Sequence, residues 1–162
     1  QASWLDQPTL GRTNYIGCAG WGGNYATSPL AVPRLRLSGP LANRKPTSLE
    51  QITAADGTSN TLLIGDWLGD TESGQVTSGT WMGCGQLATA WGLPMPSPGW
   101  WTFSSKHGSI VQFARCDGSV GRVSKGIVPG SGGSSPSGGS LNAWYAAGSW
   151  NGGDRFTWET LE

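Results

Sequence analysis

Ser109-Ile-Val-Gln-Phe-Ala-Arg-Cys116 runs into Asp117-Gly118 and then into Ser119-Val-Gly-Arg-Val-Ser124, and this stretch decides the fold. Both flanks carry β-branched and aromatic residues, and an Asp-Gly pair joins them, which is the composition of a β-hairpin. A two-residue type I′ turn needs positive φ at both central positions, and Asp-Gly supplies it. Pairing across such a turn sets Arg115 opposite Val120 and Phe113 opposite Arg122. Val111 then shares a face with Phe113, and Phe113 and Val120 are expected to mark the buried side.

Upstream, Thr61-Leu-Leu-Ile-Gly-Asp-Trp-Leu68 is a short apolar run bounded by turn residues, and its length predicts a buried strand. A second strand is expected around Thr80-Trp81-Met82. Pro46-Thr-Ser-Leu-Glu-Gln-Ile52 reads as one short helical turn with Thr47 as N-cap, ended by Asp56-Gly57. Residues 1–45 mix Gly, Pro, Asn and aromatic residues without a period and read as irregular loop. The prolines and glycines between Trp91 and Trp101 forbid regular structure there. Residues 129–140 are a flexible Gly/Ser loop with nothing to bury. After it, Ala143-Trp-Tyr-Ala-Ala147 and Arg155-Phe-Thr-Trp158 return as a strand or short helix.

Composition points the same way. The chain has 162 residues, enough for one core, so residues 1–160 are expected to form a single domain. Twenty-seven glycines and ten prolines leave room for few helices, and the class expected is α+β, mostly β. Ten Lys and Arg balance ten Asp and Glu, which leaves no electrostatic footprint for a nucleic acid or an anionic membrane. Ten Trp, three Tyr and three Phe supply more buriable surface than a disordered chain carries. No apolar run approaches the roughly 20 residues of a membrane helix. Cys18, Cys84 and Cys116 lack C-x-x-C spacing, which argues against zinc or thioredoxin-like chemistry. A disulfide between Cys18 and Cys84 is expected, with Cys116 a small strand residue beside the turn. The closing Leu161-Glu162 resembles a cloning-site remnant.

His107, the single histidine, could serve as a base or a metal ligand. A hydrogen-bonding clip is the favoured reading, because no second histidine completes a metal site and no G-x-S-x-G elbow supplies a nucleophile. Ser59, Ser104 and Ser105 are the conceivable nucleophiles beside it. Asp56 and Asp117 each precede a glycine, and turn chemistry explains both. Calcium is the competing reading, since hard oxygen ligands in Gly-rich loops suit it. Asp66, Asp70 and Glu72 form the densest acidic cluster, though without a D-x-D-x-D-G loop. Trp91, Trp100 and Trp101 lie in an irregular segment, where flat aromatic faces can stack on sugar rings. Core packing is nonetheless the favoured reading for them, because several Trp must fill the interior of a small Gly-rich domain with few aliphatic residues.

His107, nine intervening residues and Asp117-Gly118, together with Asp56-Gly57-Thr-Ser-Asn60-Thr-Leu-Leu-Ile-Gly-Asp66 and Gly152-Gly153-Asp154, resemble the bacterial pseudopilin-like proteins marked by this signature. The resemblance spans most of the chain in short blocks, from Asn14-Tyr15 to Asp154. Where the family usually has Glu, this chain has Asp66 and Asp154, and Gly108-Ser109 replaces the usual Gly-Gly. The resemblance implies a pilin-like head: a four- or five-stranded antiparallel sheet with long Gly/Pro-rich loops, packed on an N-terminal helix that is truncated here. It also implies a non-enzymatic structural or interaction subunit of a type II secretion or type IV pilus-like assembly. Such a protein is periplasmic or at the cell surface and meets the membrane only through that helix. His107, Asp117, Gly118, Asp56, Gly57, Asn60 and Asp66 are its motif residues. The alternatives are a polysaccharide-binding module using Trp91, Trp100 and Trp101, and then a hydrolase. No cofactor is implied beyond calcium, which some secretion-system pseudopilins hold in a C-terminal loop.

Overall fold

The computed structural model of the chain describes residues 11–22, 37–43, 45–69, 79, 85–95, 98–128, 139–153 and 156–162. Five strands form one open sheet: β1 (Tyr15–Cys18), β2 (Leu62–Asp66), β3 (Gln86–Leu87), β4 (Ile110–Arg115) and β5 (Val120–Ser124). Their order is β3-β1-β2-β4-β5. Two helices, α1 (Leu49–Ala54) and α2 (Gly139–Gly148), accompany the sheet. The class is α+β and mostly β.

The sheet is mixed, which corrects the expectation of an all-antiparallel one. β1 pairs antiparallel with β2, but at its other edge it pairs parallel with the two-residue β3. The long connection from β2 lets β3 return beside β1 in the same direction. β1 itself corrects the irregular reading of residues 1–45. Its four residues are too few to show alternation, yet three of them are buried.

The hairpin between β4 and β5 exists, but its register is one residue away from the expected one. Arg115 N–H donates to Ser119 C=O at 2.8 Å and Gly118 N–H to Arg115 C=O at 3.0 Å. The loop therefore holds three residues, Cys116 to Gly118. It is a turn closed by a left-handed glycine, Gly118 at φ 85°. Ala114 faces Val120, Phe113 faces Gly121 and Val111 faces Val123. A one-residue slip exchanges the faces of a strand. Val120 is accordingly 68% exposed, and Val123 replaces it on the buried side.

Packing centres on three rings. Phe103, Phe113 and Trp144 of α2 are each at most 1% exposed and meet edge to face at centroid distances of 5.0, 5.5 and 6.1 Å. Rings of this size each remove about 150–250 Å² from water, on the order of 4–6 kcal/mol apiece. The Trp144 Nε1–H donates to Thr89 C=O at 2.8 Å, so burial leaves no orphan donor there. Leu62, Val111, Val123 and Leu161 are among the other members of this core. Leu161, half of the pair that resembles a cloning-site remnant, is thus an interior residue.

β2 lies within the run expected to be a buried strand. The N-cap of α1 is Ser48 rather than Thr47: its side chain accepts from Gln51 N–H while Gln51 reaches back to Ser48 N–H, a capping box. The helix ends where Gly57 N–H bonds Ile52 C=O. α2 begins at Gly139, two residues inside the stretch read as Gly/Ser loop, and the rest of that loop lies outside the described residues. So do Thr80-Trp81-Met82, Cys84, Asp70, Glu72 and Asp154.

Candidate functional site

The cleft at the end of β2 is built around Asp66. This residue is 8% exposed, although it closes a strand beside solvent. The carboxylate Oδ2 accepts Gln112 N–H at 3.1 Å, taking up a β4 donor at the point where the two strands part. The Asp66 C=O accepts Ser104 N–H at 3.0 Å. Leu68 N–H then donates to Ser104 Oγ at 3.0 Å, which fixes the chain leaving β2.

His107 arrives on the loop between Phe103 and β4. Its Nε2 stands 3.8 Å from Asp66 Oδ2, and its side chain is 56% exposed against 11% for Asp66. This is ion-pair range rather than hydrogen-bond range. The clip that holds the loop comes instead from its backbone. His107 N–H donates to Ser105 Oγ at 3.2 Å, and Ile110 N–H to His107 C=O at 3.2 Å. Ser105 Oγ donates to Ile110 C=O. Lys125 Nζ reaches across from the strand end to donate to Ser105 C=O at 2.8 Å and Gly108 C=O at 2.6 Å.

Asn14, Tyr15, Asp66, Leu68, Lys106 and His107 are among the residues that line a cavity of about 190 Å³ here, and Trp67, Ser104 and Ser105 also border it. Tyr15 is the β1 partner of Asp66, which places an exposed ring beside the carboxylate. A second cavity of about 270 Å³ shares Leu68, Ser104 and Ser105 with the first, and Pro94, Met95, Pro98 and Lys125 are among its other lining residues. Tyr15 and Lys106 are site residues that the sequence did not single out. Only the pairing of β1 with β2 and the fold of the 103–109 loop bring them to Asp66.

The remaining motif residues are elsewhere. Asp56 Oδ2 accepts Gly152 N–H at 3.0 Å and Oδ1 accepts Gly153 N–H at 2.9 Å. Asn60 Nδ2 donates to Asp56 C=O at 3.1 Å, and Gly57 C=O accepts Thr61 Oγ1–H at 3.0 Å. Asp117 Oδ1 accepts both the N–H and the hydroxyl of Ser119, at 2.8 and 2.6 Å, and the hydroxyl bond is the main cause holding its carboxyl below the usual range. Each carboxylate thus stitches backbone to backbone.

Trp91, Trp100 and Trp101 are all exposed, by 56, 43 and 45%, so core packing does not account for them. Trp100 and Trp101 meet edge to face at 5.7 Å. Trp100 C=O accepts the Trp67 Nε1–H at 2.8 Å, which ties their loop to the end of β2.

Cys18 is a free thiol, buried on β1, and does not pair with Cys84 as expected; its Sγ–H points to Gly148 C=O at 3.6 Å. Burial pushes its pKa up to about 12, and burial, then the Asp117 charge, pushes that of Cys116 up to about 11. Neither is a nucleophile at neutral pH. Among the described residues no three His, Cys, Asp or Glu side chains converge to hold a metal, and no helix is long and apolar enough to cross a membrane. No family model matches the chain, and neither a curated protein nor a solved structure is detectably similar to it.

Proposed function

We propose that this chain is the head domain of a pilin-like, non-enzymatic subunit that works by assembly in the periplasm or at the cell surface, its partners being other pseudopilin or secretion-system subunits. The observation that carries this reading is the use of Asp56: both its oxygens hold the backbone of Gly152 and Gly153, so two separate motif blocks brace one another. Asp117 does the same for its turn. A motif whose acids bind its own backbone builds a scaffold rather than a reaction centre.

Hydrolysis is disfavoured by the same geometry. Ser104 Oγ receives Leu68 N–H, and Ser105 Oγ engages Ile110 C=O and the backbone of His107, so His107 meets no serine through its ring. Of the calcium candidates, Asp66 shares its cleft with Lys106 and His107, while Asp70 and Glu72 lie outside the described residues. The test is the native gene. A short basic leader and a long apolar helix ahead of residue 1 are expected, and restoring them should move the protein into the membrane fraction and into crosslinks with filament subunits. An ordinary secretory signal with no such helix overturns the proposal.

A second reading is favoured by the exposure of Trp91, Trp100 and Trp101. These rings would stack on a polysaccharide, and Trp100→Ala would abolish the binding.

A further inference from the structure

The Asp66 side chain is nearly buried, yet only one of its two oxygens is engaged. Oδ2 meets Gln112 N–H and faces His107, whereas Oδ1 has no partner among the described residues. Oδ1 is an accessible acceptor on a largely buried side chain that also lines the 190 Å³ cavity, so it is open to a ligand's donor. Around that acceptor stand donors that are also unengaged: among the described residues the imidazole of His107 makes no hydrogen bond, and the Lys106 ammonium has no partner. The Asn14 amide lines the same space, its Nδ2 held at 3.4 Å by Trp67 C=O while its Oδ1 accepts nothing from the described residues. The exposed ring of Tyr15 forms one wall.

We infer that this cleft binds a neutral, polyhydroxylated ligand, one hexose unit of a glycan. The mixture of groups selects that chemistry. An ammonium ligand would suit Asp66 and the Tyr15 ring but would meet Lys106, and a carboxylate or phosphate would suit Lys106 but would meet Asp66. A sugar hydroxyl donates and accepts at once, so a single ring can donate a hydrogen bond to Asp66 Oδ1 and accept hydrogen bonds from Lys106, His107 and Asn14. Its apolar C–H face would lie on Tyr15. The volume sets the size: drug-sized ligands occupy roughly 300–1,000 Å³, and 190 Å³ takes one ring. The site is separate from the exposed tryptophans and does not depend on the assembly reading.

Titration of the ¹⁵N-labelled protein with glucose, galactose, N-acetylglucosamine and their short oligomers tests it. Amide shifts centred on Asn14, Tyr15, Asp66, Lys106 and His107 are expected with at least one sugar, with a Kd of about 1 mM. Tyr15→Ala and Lys106→Ala should each weaken that Kd tenfold or more. Asp66→Asn keeps an acceptor for Gln112 N–H and should also lose binding; if it unfolds, the two exposed-residue variants decide. Absence of saturable shifts with every sugar overturns the inference. So does binding abolished by Trp100→Ala but kept by Tyr15→Ala, or saturation by a dipeptide or inorganic phosphate in place of sugar.

Discussion

Asp56 Oδ1 accepts the backbone N–H of Gly153 at 2.9 Å across a separation of 97 residues. With the matching bond from Gly152 N–H to Oδ2, one carboxylate anchors the segment after α2 to the turn after α1. Hydrogen bonds to a charged acceptor contribute about 1.5–3 kcal/mol each to stability. With two such bonds, the one to Gly153 solvent-exposed, Asp56→Ala should lower the urea unfolding free energy by about 3 kcal/mol, the low end of their sum. It should also speed hydrogen exchange at Gly152 and Gly153 before it affects β4. A loss below about 0.5 kcal/mol, the usual scatter of surface substitutions, would show that the bond does not brace the fold.

Two glycines separate backbone conformation from packing. Gly118 has φ 85° with nothing within 4 Å of the point where a Cβ would stand, so Gly118→Ala tests conformation alone and should cost about 1 kcal/mol. A Cβ on Gly65 would stand 2.2 Å from the Phe113 ring and 2.9 Å from Phe103. Gly65→Ala should cost about 3 kcal/mol through overpacking and disturb the ring cluster. Thermal unfolding of the pair checks the order, and a smaller loss for Gly65→Ala than for Gly118→Ala contradicts the packing described.

How far the sequence carries can be judged from particular elements. The Asp-Gly pair locates the β4–β5 turn, and a bounded apolar run locates β2, because both signals are local. The register is not legible: Asp-Gly fits a two-residue loop and also a three-residue loop ending in a left-handed glycine, and only the ladder decides that Cys116 belongs to the turn. β1 and β3 are too short for a period to show. Of the site, His107 and Asp66 stand out by type, but their approach to Tyr15 and Lys106 depends on strand pairing, to which no short motif points. The tryptophans are legible as a loop group, whereas their exposure is not, because an aromatic ring on a loop can turn inward or outward with the same sequence around it.

Stability should fall in alkali through the cysteines. Cys18 is fully buried and its pKa is raised from 9.0 to about 12, so the folded chain keeps a proton that the unfolded chain releases. Stability from this thiol is whole below about pH 9 and is lost as pH rises toward 12, with a slope of up to ~1.4 kcal/mol per pH unit. Urea unfolding at increasing pH should show this decline, and Cys18→Ala should flatten it. Rapid reaction of native Cys18 with a thiol reagent at pH 8 would contradict the burial that causes the shift.

Lys125 provides the test of the loop that carries His107. Its ammonium bonds Ser105 C=O and Gly108 C=O on opposite sides of the turn, and no other described side chain bridges those two carbonyls. Lys125→Met retains the apolar stem and removes both bonds, which should cost about 2 kcal/mol, since each is charge-assisted. The loss should be local, with exchange rising at Ser105 to Gly108 while Val111 and Val123, buried in the ladder, stay protected. His107→Ala is the comparison. Its ring is 56% exposed and makes only the 3.8 Å approach to Asp66, so that variant should lose less than about 1 kcal/mol and leave the loop ordered. If His107→Ala destabilises the loop more than Lys125→Met, the histidine ring rather than the lysine strap holds the cleft in shape.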